Sequence, residues 1–271
     1  MQITVVKVGG AIVEDETQLR QLIHDFSAIK GQKVLVHGGG RRATKVAAQL
    51  GIESHMVGGR RITDAEMLNV VTMVYGGLVN KHIVALLQAQ GCNALGLTGA
   101  DLNIIRSHRR PLKQMEVDGQ MQTVDFGFVG DVDTADGNTL ATLLQQGYTP
   151  VIAPLTHDGN GNMLNTNADT MASEVAKALA GNADAEGKQN DVTLIYSFEK
   201  RGVLSNPDND DSVIPVITHS SFAKLKADGT ISGGMLPKIE NALAAVDNGV
   251  SRVIITLATA IDGQQGTQIT K

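Results

Sequence analysis

One cysteine, Cys92, stands in 271 residues, so no internal disulfide can brace the chain, and a reducing, cytoplasmic setting is the one expected. It follows Gly91 and reads as a small apolar group rather than a nucleophile. Positive charge is not in excess: 23 Lys+Arg against 28 Asp+Glu give a net charge of -5. That argues against a nucleic-acid partner, and any bound phosphate must be held by local groups. No signal peptide and no unbroken run of about 20 apolar residues is present, so no membrane association is expected. The seven histidines are scattered without metal-ligand spacing, and no metal-ligating set is expected. Neither of the first two glycine turns fits G-x-G-x-x-G, and G-x-x-x-x-G-K-[ST] is absent, which weakens the dinucleotide and Walker-type readings.

What the chain does have is glycine, 30 residues of it, placed after apolar strands. Ile3 to Val8 is a β-branched run that reads as a buried parallel strand, closed by Gly9-Gly10, with a helix-like stretch from Glu16 to Ile23. Gln32 to His37 repeats the device, closed by Gly38-Gly39-Gly40, with a helix beginning near Arg42. Strand, glycines and helix start together make a seat for phosphate, because the backbone approaches closely and the helix offers unpaired N–H groups. Two such units in succession put both turns on the carboxyl edge of one sheet. Lys7 lies inside the first strand, where an ammonium is costly unless an anion meets it; an edge strand or a structural ion pair is the alternative. His37 reads as a strand terminator bonded to backbone rather than a general base.

Further along, Val57 to Thr63 is a glycine-arginine loop suited to bidentate capture of a carboxylate, with a surface arginine as the alternative. Thr63 with Glu66 fits a capping box, opening a helix over 64–90 that is apolar around most of its circumference. Such a helix serves either a subunit interface or a core buried on several sides. Residues 106–113 read as a hairpin or loop, and Asp158-Gly159 marks a hairpin turn. Asn165, Asn167 and Asp169 alternate at a helix entrance, more polar residues than a cap alone requires. The polar stretch 183–191 is the best lobe boundary, and the acidic run 208–211 reads as solvated. A third glycine pair, Gly233-Gly234, precedes a helix with Pro237 and Lys238 in its first turn. Together these form a kit for phosphoryl transfer, which needs alignment, cations and N–H donors more than covalent chemistry.

At Lys7-Val8-Gly9-Gly10, His37-Gly38-Gly39-Gly40, Gly59-Arg60-Arg61-Ile62-Thr63, Asn165-Thr166-Asn167-Ala168-Asp169, Gly233-Gly234-Met235 with Lys238, and Gly266-Thr267, the chain resembles the amino acid kinase family, nearest its acylglutamate branch. The resemblance implies an α/β three-layer sandwich in two lobes, with a mainly parallel central sheet and helices on both faces. Residues 1–182 would bind the acylglutamate and dimerise, and 183–271 would bind ATP. Lys7 and Lys238 would flank the transferred phosphoryl group, with Asp169 holding both; Gly10, Gly39 and Gly40 would donate backbone N–H groups to its oxygens. The substrate side would comprise Gly39, Gly40, Arg61 on the α-carboxylate, and Asn165 and Asn167 near the acylamino group. The nucleotide side would comprise Gly9, Gly10, Gly202, Gly233, Gly234 and Met235, with Mg²⁺ carried by the ATP phosphates. The γ-carboxylate is an ionised nucleophile at neutral pH, so no general base is required. The expected product is an acyl phosphate of arginine biosynthesis. Related carbamate, aspartate or glutamate kinases, or a non-catalytic sensor of the same fold, are the alternatives. The stretch 197–203 departs from the family's Asp-x-x-Gly-Val type turn, and the acyl pocket leaves room for acetyl or a larger group such as succinyl. Without the helical extension of arginine-inhibited hexamers ahead of Ile3, the resemblance implies an arginine-insensitive homodimer paired through 64–90.

Overall fold

A computed structural model of the chain describes residues 1–117, 119–183 and 187–271. The strands of the main sheet are β1 (Gln2–Val8), β2 (Gln32–His37), β3 (Ala94–Leu97), β4 (Thr149–Ile152), β5 (Asp191–Phe198), β6 (Val216–Ile217), β7 (Arg252–Leu257) and β8 (Thr267–Ile269). They form one 8-stranded sheet in the order β6-β8-β7-β5-β1-β2-β4-β3. From β7 across to β3 every pairing is parallel, while β8 runs antiparallel to β7, so the sheet is mainly parallel as expected. The first strand lies near the middle, and its neighbours β2 and β5 come from opposite halves of the chain.

The helices are α1 (Gly10–Glu14), α2 (Glu16–Ala28), α3 (Gly40–Gln49), α4 (Ala65–Ala89), α5 (Gly137–Gln145), α6 (Ala168–Ala180), α7 (His219–Ala227) and α8 (Met235–Asp247). Strand residues alternate between faces, which sends Ile3 and Val5 into a core with α5, α6 and α8, and Val6 and Val8 into one with α2, α3 and α4. The result is the expected three-layer sandwich. Lys7 shares the face of Ile3 and Val5 and therefore points toward α6.

Several local expectations are corrected. Helical structure after the first glycine turn starts at Gly10, not Glu16; Asp15 then caps α2 through the backbone N–H groups of Thr17 and Gln18, both at 3.0 Å. Helix α3 begins at Gly40 rather than Arg42. Both turns thus deliver a helix N-terminus directly from the glycines. Asp64, not Thr63, caps α4, accepting from Met67 N at 2.8 Å, while Thr63 is buried and accepts from Asn165 Nδ2 at 2.9 Å. Helix α4 is also not α-helical throughout, because Thr72–Val79 winds as a π-helix around Tyr75-Gly76-Gly77. By length and composition α4 would cross a bilayer, but half of its most apolar window is buried against the sheet.

Beside the main sheet stands a 4-stranded one, made by Met163–Asn165, Leu155–His157, Ile105–Arg109 and Gly130–Ala135. Two hairpins flank it, Met56–Val57 with Arg60–Arg61 and Lys113–Val117 with Gln120–Val124, sharing a small core of Val124, Phe126 and Val129. Residues 106–113, read as a hairpin or loop, supply the end of one strand and the start of another. Of the boundary stretch 183–191, residues 184–186 lie outside the described residues.

Candidate active site

Strands β1, β2 and β5 are adjacent and parallel, so their carboxyl ends deliver the first two glycine turns and Ser197 to one edge. The turns touch: a side chain at Gly38 would lie 3.1 Å from the backbone N of Gly10, and one at Gly10 would lie 3.7 Å from the N of both Gly39 and Gly40. A side chain at position 38 would crowd that approach, which aims the start of α1 and the start of α3 at the same space. Lys7 enters this space from β1, its Nζ 4.0 Å from where a Gly9 side chain would begin.

Opposite the turns, α6 presents Asp169 in its first turn, capped by Asn167, whose Oδ1 accepts from Asp169 N at 2.8 Å and Thr170 N at 3.1 Å. Lys7 Nζ lies 2.8 Å from Asp169 Oδ1, and Lys238 Nζ, from α8, donates to Asp169 Oδ2 at 3.0 Å. The two lysine side chains are only 12% and 11% exposed. Burial raises the carboxyl of Asp169, but Lys7 and then Lys238 outweigh it and hold the group at about 2. Burial and the charge of Lys7 lower Lys238, against the pull of Asp169. Lys238 also sits over the rings of Tyr196 and Phe198, at 5.3 and 5.5 Å. Two cations separated by over two hundred residues in sequence are thus held apart on one carboxylate.

Three cavities run along this edge. The middle one, about 690 Å³, is lined by Lys7, Gly9, Gly10, Gly40, Ser197 and Lys238 among others. Ser197 Oγ is buried there with no hydrogen-bond partner among the described residues. On one side the cleft opens into a polar cavity of about 830 Å³, lined by Gly39, Gly40, Arg61, Tyr75, Asn165 and Asn167 among others. On the other side lies a more apolar cavity of about 580 Å³, with Phe198, Gly202, Leu204, Pro207, Ile231 and Met235 in its walls. Gly202 is pressed against Thr267, whose Oγ1 accepts from Val203 N at 2.8 Å, so the Gly266-Thr267 pair props the turn that shapes this cavity. Gly233 and Gly234 stand in open space, with nothing within 4 Å of where their side chains would be.

His37 is fully buried, bonds to the Gly38 carbonyl through Nδ1 at 2.8 Å and faces Asn80 Nδ2 through Nε2 at 3.2 Å. Burial lowers it to about 4, so it is neutral at pH 7, a terminator of β2 bonded to backbone as read. Arg61 differs from a free clamp: its terminal nitrogens donate to Ser54 Oγ (2.8 Å), Gly40 O (2.9 Å) and Thr44 Oγ1 (2.8 Å). It clasps the arginine hairpin to the start of α3, and among the described residues no hydrogen bond from its Nε is seen. Sequence reasoning missed Tyr75, Ser197 and Arg110. The π-helical turn that brings Tyr75 against Gly39 has no periodic signal; the Tyr75-Gly76-Gly77 triplet inside an apolar helix was the available hint. Among the described residues no group of three or more His, Cys, Asp or Glu could hold a metal ion. Asp169 is taken by two lysines, and the carboxylate that does line the middle cavity, Glu199, belongs to an exposed residue 3.4 Å from Arg41.

The family model for the amino acid kinase family matches residues 2–257. The chain belongs to the amino acid kinase family. It is 62% identical over 270 residues to the acetylglutamate kinase of Bacteroides thetaiotaomicron, covering 100% of this chain and 99% of that protein. The acetylglutamate kinase of Phocaeicola vulgatus is likewise 62% identical over 270 residues, with 100% and 99% covered. Among solved structures, that of smu.665 from Streptococcus mutans matches with a TM-score of 0.74 at 28% identity, over 99% of this chain and 98% of that one. Within this amino acid kinase fold the paired lysines and the facing glycine turns meet at the carboxyl ends of the central parallel strands.

Proposed function

We propose that the chain is an ATP-dependent kinase that phosphorylates the γ-carboxylate of an N-acylglutamate, N-acetyl-L-glutamate being the substrate its relatives are named for, to give an acyl phosphate in arginine biosynthesis. The observation that carries this reading is the bridging of Lys7 and Lys238 by one carboxylate, with two helix starts facing them across a glycine-lined gap. A migrating phosphoryl group spreads charge over its oxygens, and a preset pair of ammoniums with backbone N–H donors meets that charge without reorganisation.

In this reading ATP supplies the phosphoryl group, its phosphates carrying Mg²⁺, and the residues of the middle cavity hold those phosphates. Gly9 and Gly10 lend the start of α1 to the phosphate chain, Ser197 offers a hydroxyl, and the base lies in the apolar cavity with Gly202 and Met235, near the open turn of Gly233 and Gly234. Gly39 and Gly40 lend the start of α3 to the acceptor side. Asp169 keeps the two lysines separated until the phosphates arrive, and the already ionised γ-carboxylate attacks in line with no base required. Arg61 acts on the α-carboxylate through Nε and its charge, while Asn165 and the free Nδ2 of Asn167 face the acylamino group. Residues 1–182 form the acceptor lobe and 183–271 the nucleotide lobe of a cytoplasmic homodimer. Exposed Met73 and Leu78 on α4, 54% and 49% accessible, support pairing through that helix.

Trapping product with hydroxylamine tests the reaction. Hydroxamate is expected from N-acylated glutamate with ATP and Mg²⁺, and not from free glutamate or aspartate; activity confined to the unacylated amino acids would overturn the assignment.

A further inference from the structure

The cavity on the acceptor side carries more positive charge than an acetylated glutamate can use. In that substrate the γ-carboxylate faces the lysines, the α-carboxylate is the one other anion, and the acetyl group is neutral. Yet Arg60, Arg61 and Arg110 all line the cavity, against a single carboxylate, Asp131, which is hydrogen-bonded to Arg110 and also feels the charge of Arg60.

Arg110 is the informative member. Its side chain is only 13% exposed. Nε donates to both oxygens of Asp131 at 3.1 Å and Nη2 to Oδ1 at 2.6 Å, so one edge of the guanidinium is spent. The ring of Phe126 lies 5.4 Å away and restricts the group further. The other edge, Nη1 with the outer proton of Nη2, makes no bond among the described residues. A mostly buried guanidinium fixed along one edge and open along the other is a preformed fork for a planar carboxylate. Arg60 stands at the same rim, exposed, its side chain making no hydrogen bond or close ion pair among the described residues while its charge reaches Asp131.

The backbone says which part of the substrate this fork meets. Arg110 N donates to Val129 O at 2.7 Å, and Val129 bridges to Asn165. Arg110 therefore lies one strand beyond the residue assigned to the acylamino group, where an acyl chain extends away from the glutamate. We propose that Arg110, assisted by Arg60, forms a subsite for a second carboxylate at the far end of the acyl group, making the substrate a glutamate acylated by a short dicarboxylic acid such as succinic acid. This rests on the kinase reading above and refines its substrate.

The test compares kcat/KM for N-acetyl-, N-butanoyl- and N-succinyl-L-glutamate, the butanoyl chain matching succinyl in length without its charge. Succinyl is expected to exceed both others by about tenfold or more, and Arg110→Met to collapse that preference by about the same factor, as loss of a charged bidentate contact does. Arg60→Gln, at an exposed position, is expected to reduce the preference several-fold and covers the case in which Arg110→Met fails to fold. Acetyl or butanoyl used as well as succinyl overturns the subsite and leaves the kinase reading standing. An Arg110→Met variant equally impaired on all three also overturns it, since Arg110 would then hold the α-carboxylate. Phosphorylation of none of them removes both readings.

Discussion

Replacing Asp169 by asparagine keeps the shape of the side chain and removes the one charge that Lys7 and Lys238 share. The ammoniums lie 2.8 and 3.0 Å from its two oxygens and are largely buried, and breaking such a pair from one side costs about 3–5 kcal/mol because the remaining charge is uncompensated. The carboxyl itself moves from 3.8 to about 2, which at about 1.36 kcal/mol per pH unit is a net contribution of about 2 kcal/mol. Urea unfolding at neutral pH should therefore show the variant less stable by about 2–4 kcal/mol. The folded value lies below the unfolded one, so this contribution is complete above 3.8 and is lost as the pH falls through about 2; parent and variant should converge in acid. Nucleotide phosphates bring a replacement anion, so saturating MgATP should shrink the deficit. Turnover should still fall about a hundredfold or more, because the lysines are no longer aimed. A deficit that is the same with and without nucleotide, or turnover close to that of the parent, would refute the account of the shared carboxylate.

His37 provides a second pH window of opposite origin: its folded value of about 4 lies below the ordinary 6.5, so the unfolded chain binds the proton first and stability falls as the pH drops between them. The loss, about 3 kcal/mol by about pH 4, should be missing from His37→Gln in urea titrations, and parallel curves would exclude it. Arg61→Ala should raise KM for the acylglutamate about tenfold or more and KM for ATP much less, in steady-state kinetics; equal effects would mean that its clasp on Gly40 and Ser54 is its whole role. Under the proposed pairing through α4, the parent should scatter light as a dimer and Leu78→Glu, on its exposed side, as a monomer; a monomeric parent or an unchanged mass would reject that interface.

Much of the site was legible because its parts are local. The apolar runs that became β1 and β2, their closing glycines and the polar entrance to α6 each fall within a few residues, and the costly placement of Lys7 called for an anion, which the structure supplies as the ion pair with Asp169. Helix starts were misplaced because glycine has poor helix propensity, yet Gly10 and Gly40 each open a helix with free N–H groups facing the other turn. Thr63 looked like a cap and is instead a buried partner of Asn165, a choice made by a segment one hundred residues away.

What the sequence determined by itself was the kind of chemistry: β-branched apolar runs closed by glycines, glycine turns without a Walker loop, and an ordered set of motifs that carries a family resemblance, all fixed by neighbours along the chain. Only the tertiary structure decided that Lys7 and Lys238 share Asp169, that a π-helical turn sets Tyr75 against Gly39, and that Arg61 is already engaged while Arg110 keeps an open edge. Those outcomes depend on which strands lie side by side and where their ends meet, and hydrophobic periodicity carries no record of either.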